Sequence, residues 1–203
     1  MGRVTESRPD HSALPGDSGA LVHNDHGPVG LVIAVNEDLG ETYVCKASYI
    51  EKLLGVRFVP RTSVGSNRPR FEPATFPSSP RDRFDVLIGG ISIGHGSVTA
   101  GTLGAFVWDT TTQELLCLTC AHVAAPLGAA VGDPIYQPGP LDIHKRLGRQ
   151  PNDSDIAGYL TRWIPISFRQ PNLIDAALFR PIRPVWPSYV FKYGERLLTR
   201  PVS

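Results

Sequence analysis

Short apolar runs, each closed by glycine, proline, asparagine or aspartate, set the pattern of this chain. Runs of this kind predict β-strands. The clearest are Ala20-Leu21-Val22, Val29 to Val35, Thr42-Tyr43-Val44-Cys45, Ala105-Phe106-Val107-Trp108, Leu115-Leu116-Cys117-Leu118 and Ala176-Ala177-Leu178-Phe179. Turn-forming residues separate them at His26-Gly27-Pro28, Asp38-Leu39-Gly40 and Asp109-Thr110-Thr111-Thr112. Helical periodicity is confined to Ser48 to Leu54, which sets Ile50, Leu53 and Leu54 on one face. The expected fold class is all-β with little helix.

Between Pro60 and Pro80 the pattern lapses into proline, serine, arginine, asparagine and threonine, the composition of an extended linker. It divides the chain into a segment over residues 1–59, a linker over 60–85 and a segment over 86–203. The 203 residues are enough for a sizeable core, and 41% hydrophobic against 19% charged residues excludes a disordered chain. A formal charge of +1 supplies no field for nucleic acid or an anionic membrane. No apolar stretch approaches the roughly 18 residues of a membrane span, and Met1-Gly2-Arg3-Val4-Thr5-Glu6 lacks the apolar core of a secretory signal. Glu6 stands where a myristoylation signal has serine or threonine. An intracellular location is the default expectation.

Three cysteines, Cys45, Cys117 and Cys120, are too few for a disulfide scaffold. The Cys117-Leu118-Thr119-Cys120 spacing with His122 nearby suggests zinc, with Cys45 as a fourth ligand. Residues three apart on a strand point to opposite faces, however, so no metal site is expected of this pair. No βαβ pattern supports a redox dithiol either.

Three motifs carry chemistry. In Pro15-Gly16-Asp17-Ser18-Gly19-Ala20, glycines frame a serine just before an apolar strand. Glycine before the serine lets the backbone turn its amides toward a developing oxyanion, and Gly19 leaves room beside the hydroxyl. Leu118-Thr119-Cys120-Ala121-His122 runs a strand into a histidine, the side chain suited to taking a serine proton near neutral pH. Leu173-Ile174-Asp175-Ala176-Ala177-Leu178 puts one acid at the head of an apolar strand, where it can fix the histidine tautomer. Taken singly, each also reads as a surface turn, a core or loop histidine, or a strand-end aspartate. Asp155-Ile156-Ala157 repeats the acid motif, but Gly158 and Tyr159 interrupt the strand, so Asp175 is preferred. His11, His23, His26, His95 and His144 lie in turn-like or polar surroundings and are expected to be solvated.

Together these segments resemble the trypsin-like, chymotrypsin-fold serine peptidases, whose G-D-S-G, T-A-A-H and D-I-A-L motifs they echo. Gly90-Ile91-Ser92-Ile93-Gly94-His95 and Thr99-Ala100-Gly101-Thr102-Leu103-Gly104 look like the opening strands of the bacterial-type branch. The resemblance implies a double β-barrel and a serine endopeptidase acting on peptides or proteins through an acyl-enzyme, without cofactor or metal. It makes Ser18 the nucleophile, His122 the general base and acid, Asp175 its orienting carboxylate, and Gly16 with Ser18 the oxyanion-hole amides. It sets Ser12, followed by Ala13, at the substrate-pocket floor, which implies an uncharged side chain there, with Glu41 across the pocket as the acid that would change this.

The family orders its motifs His, Asp, Ser, whereas here serine comes first. Circular permutation through the linker explains that order, although the 28 residues after Asp175 and 17 before Ser18 are about half of what the family spends on this stretch. A fragment spanning two consecutive peptidase domains, with an incomplete second barrel, explains it too. So does a domain-swapped homodimer. The alternative function is an inactive remnant serving as a protein-binding module.

Overall fold

The computed structural model describes residues 2–5, 16–24, 26–36, 38, 41–59, 77–167 and 169–190. Two antiparallel sheets account for most of it. β1 (Gly2–Thr5), β2 (Leu21–Asn24), β3 (Gly27–Asn36) and β4 (Glu41–Lys46) form a four-stranded sheet in the order β1-β4-β3-β2. The helix α1 (Ala47–Leu54) follows β4 without a loop, and Gly55 ends it in the left-handed conformation at φ +60°, its N–H donating to Glu51 O. α1 buries Ala47, Ile50 and Leu54, whereas Leu53, expected on the same face, is 39% exposed. One residue is about 100° of helical turn, and Ile50 and Leu54 already define the buried stripe.

The second sheet draws on both sides of the proline-rich stretch. β5 (Val56–Phe58) pairs with β9 (Ala105–Asp109), and the full order is β5-β9-β10-β13-β12-β11-β7-β8. The other members are β7 (Ser92–His95), β8 (Gly101–Thr102), β10 (Leu115–Thr119), β11 (Pro134–Tyr136), β12 (Ile156–Trp163) and β13 (Ala177–Pro181). β6 (Leu87–Gly89) and β14 (Val185–Val190) make a separate parallel pair. The chain is mostly β, and no sheet closes through its ladders alone. β8 nevertheless runs into β9 through Leu103 and Gly104, whose N–H groups donate to Ile91 O and Leu118 O, each at 2.9 Å.

All six strand runs legible in the sequence are strands, with boundaries shifted by a few residues at most. One apolar core unites the sheets, with Leu31, Ile50 and Leu54 from the first segment beside Ile93, Phe106, Leu118 and Phe179 from the second. Of the stretch read as a linker, residues 60–76 lie outside the described residues, whereas within 77–85 Phe84 is buried and its N–H donates to Gln137 Oε1 at 2.9 Å. The helix α2 (Ala121–Ala124) is a single turn. α3 (Pro140–Leu147) has no counterpart in the sequence reading, because few of its residues are apolar and Leu147 is exposed. It is specified instead by its ends, with Pro140 at the first position, Asp142 in the first turn, and Lys145 and Arg146 in the last. Among the described residues no helix is long and apolar enough to cross a membrane.

The turn after β9 is held by Asp109. Its Oδ1 accepts the N–H groups of Thr111 and Thr112 at 2.8 and 2.9 Å, and its Oδ2 pairs with Arg162 at 2.5 Å. The Thr112 N–H, then the Arg162 guanidinium and the Thr111 N–H, hold its carboxyl down at about 2. A depressed folded pKa gives stability that is present above the unfolded value near 4 and is lost as pH falls toward 2. Asp109→Asn is therefore expected to cost about 2 kcal/mol at neutral pH, and less as acid protonates the wild type. Urea unfolding of both proteins at several pH values measures the difference.

Candidate active site

Strand register brings the histidine and the acid together. β10 and β13 run antiparallel with Thr119 opposite Ala177, so the chain just past the end of β10 meets the chain just before β13. Past Thr119 the backbone winds into α2, with Ala121, Val123 and Ala124 buried and His122 left on the outside, its side chain 39% exposed. Ile174 and Ala176 are buried on either side of Asp175 and fix the carboxylate, itself 15% exposed, against the imidazole. His122 Nδ1 lies 2.5 Å from Asp175 Oδ2, and the His122 N–H donates to Asp175 Oδ1 at 3.1 Å. A carboxylate only accepts, so Nδ1 carries a proton, and in the neutral ring the lone pair is then on Nε2.

The serine turn is held in the same place by its backbone. Ala20 N–H donates to Asp17 O at 2.8 Å, and Gly16 and Gly19 flank Ser18 at φ +103° and +95°. Thr102 clamps the turn: its N–H donates to Ser18 O and its Oγ1 to Gly16 O, both at 2.8 Å. The carbonyl of Val32 on β3 then ties the turn to the histidine segment, accepting Gly19 N–H at 2.8 Å and the Cys120 thiol at 3.2 Å. A single chain thus assembles residues of both segments around one carbonyl. Among the described residues, the half-buried Ser18 makes no hydrogen bond from its hydroxyl to His122.

No family model, curated protein or solved structure matches this chain.

The glycine after the serine is required by contact as well as by torsion. A Cβ on Gly19 would lie 2.3 Å from Thr102 O and 2.5 Å from Thr119 Oγ1, the first of these a backbone atom that cannot swing away. Gly19→Ala is expected to destabilise the fold by on the order of 3 kcal/mol, strain and overpacking together. Thermal unfolding beside the wild type reads this directly.

Asp175 also borders a cavity of about 200 Å³, lined mainly by Ile33, Ala34, Cys45, Ile166 and Leu173. The Asp175 amide is directed at the Cys45 sulfur, whose thiol pKa is pushed up by burial.

The other sequence candidates fall elsewhere. Ser12, Ala13 and His11 lie outside the described residues. Glu41 is buried at the head of β4 and accepts the Tyr43 hydroxyl at 3.1 Å. Asp155 is fully buried and structural: Arg149 grips both of its oxygens at 2.5 and 2.9 Å, Arg83 adds a contact at 3.4 Å, and Asp155 completes a capping box with Asn152. Arg149 above all holds its carboxyl below the usual range. His26 and His144 are exposed and His23 is half-buried. His95 departs from the expectation of a solvated ring. Its side chain is 12% exposed, its Nδ1 accepts Ser97 N–H at 3.1 Å, and its Nε2 faces Asp133 Oδ2 at 3.2 Å. Cys117 is buried within β10, and burial drives its thiol pKa well up.

Two elements of the site had no marker in sequence. Thr102 lies in a segment already noted for its likeness to an opening strand, yet nothing there signals that it clamps a turn 86 positions away. The Val32 carbonyl is main chain, and side-chain identity does not encode its role.

Proposed function

We propose that the chain is a serine endopeptidase of the trypsin-like kind, a permuted double barrel in which Ser18, His122 and Asp175 form the triad. The carrying observation is the 2.5 Å contact of His122 Nδ1 with Asp175 Oδ2, made beside a serine turn bound to the same Val32 carbonyl as Cys120. In this reading Ser18 Oγ attacks a peptide carbonyl while its proton passes to His122 Nε2. The Gly16 and Ser18 amides receive the oxyanion, and the same proton moves on to the leaving amine. Water then releases the acyl group by the reverse sequence. Asp175 stabilises the imidazolium, and no metal or organic cofactor takes part in these steps.

The strand path supports the barrel. From β9 through β10, β13, β12, β11 and β7 to β8 it returns, across Leu103 and Gly104, to the strand on which it began. β2, β3, β4 and α1 then supply part of the second barrel. In this reading one chain contributes both halves of the site, without exchange between copies. The apolar cavity beside Asp175 suits an uncharged side chain of the peptide.

A second reading, a binding module with a relic triad, draws on the missing hydrogen bond from Ser18 to His122. Such bonds are often long in ligand-free sites and tighten with substrate. Treatment with a fluorophosphonate separates the two. The peptidase reading expects one label per chain, located on Ser18 by peptide mass. Well-folded protein that takes up no label would overturn it.

A further inference from the structure

Cys117 is not in the cluster of metal-ligating groups among the described residues, whereas Cys120 is. The Cys120 sulfur, a ring nitrogen of His122 and a carboxylate oxygen of Asp175 all lie within 4.8 Å of one another. We propose that these three atoms form an inhibitory site for a soft divalent metal ion, zinc or cadmium, which takes the imidazole and its carboxylate out of action together.

The ligand set is one such ions favour, a thiolate, an imidazole and a carboxylate, with a fourth position left for water. Tetrahedral coordination at about 2.0–2.3 Å from the ion separates its ligands by roughly 3.3–3.7 Å. The His122–Asp175 contact must open from 2.5 Å, while the distances to the sulfur start at no more than 4.8 Å. Changes of about 1.5 Å or less in these distances therefore suffice.

Cys120 is buried, so the ion needs a route. His122 is partly open to solvent, and Asp175 forms part of the wall of the 200 Å³ cavity. One approach meets the imidazole first and the other the carboxylate. Cys45 lines the same cavity but is not among the mutually close atoms.

The ion displaces the thiol proton of Cys120, which leaves to solvent, and the proton on His122 Nδ1, which is replaced by one on Nε2. One proton is released per ion bound, and nothing is oxidised or reduced. Held at Nδ1, the imidazole has no lone pair left for a serine proton. The inhibition rests on the peptidase reading, whereas the binding does not.

Cobalt tests binding independently of catalysis, because a cobalt–thiolate bond gives a near-ultraviolet charge-transfer band. Titration of the full chain with cobalt chloride is expected to raise this band to a plateau at one ion per chain, with zinc displacing it. Cys120→Ala is expected to abolish the band, His122→Ala to weaken cobalt binding at least tenfold, and Cys45→Ala to leave the band in place. Circular dichroism confirms that each variant is folded. No band with folded wild type, a band that survives Cys120→Ala, or one lost with Cys45→Ala alone overturns the site. A band without zinc inhibition, in a chain that no fluorophosphonate labels, upholds the site and counts against the peptidase reading.

Discussion

Ser18→Ala is expected to lower peptide hydrolysis by on the order of 10⁶-fold, abolish fluorophosphonate labelling and leave stability within about 0.5 kcal/mol of the wild type. The two halves of this expectation have different origins. In the proposed mechanism the hydroxyl is the nucleophile, and triad members act as a unit, so removing one forfeits nearly all that the group achieves. The fold loses little because the turn is held by main-chain atoms: Gly16 O and Ser18 O bind Thr102, and Gly19 N–H binds Val32 O. Alanine keeps every one of these bonds. Steady-state kinetics on a mixed peptide substrate, run beside a urea melt, reads both. Hydrolysis that persists in the alanine variant would remove Ser18 from the mechanism.

Asp175→Asn is expected to lower kcat about 10⁴-fold in a protein that folds normally. Asparagine is nearly isosteric, and its amide oxygen can still accept the His122 N–H now bound by Asp175 Oδ1. Its NH₂ group, however, faces His122 Nδ1 where a carboxylate oxygen stood. Nδ1 then becomes the acceptor, the ring proton moves to Nε2, and the atom that should receive the serine proton already carries one. Catalysis fails through the wrong tautomer while the hydrogen-bond count is preserved. A loss smaller than tenfold would mean that Asp175 does not set the imidazole.

The strands and α1 were legible because burial imprints a period on sequence, and the six apolar runs found in this way are strands. Leu53 shows the limit of that signal: an apolar residue next to a buried one need not share its face. α3 escaped because its ends define it more than its apolar face does. At the site, residue types were legible but their partners were not. The choice of Asp175 over Asp155 came from the uninterrupted strand that follows Asp175, and Asp155 proves to be gripped by Arg149 and capped with Asn152. The ring of His95 is held away from solvent by a partner, Asp133, 38 positions away, which local sequence does not reveal. Register decides that His122 meets Asp175, and a main-chain carbonyl decides that the serine turn joins them. Neither leaves a trace in composition or spacing.

The tie through Val32 also has a meaning for synthesis. Its oxygen is fastened to Gly19 and to a sulfur 88 positions further along, and Thr102 grips Gly16 across 86. During synthesis the serine turn leaves the ribosome before the segments that clamp it, since Thr102 and Cys120 both follow it in the chain. Long-range closure of this sort is slow, and it comes late. The serine turn therefore stays unclamped until those later segments are made, and in the proposed reading no triad can form before Asp175 has been added.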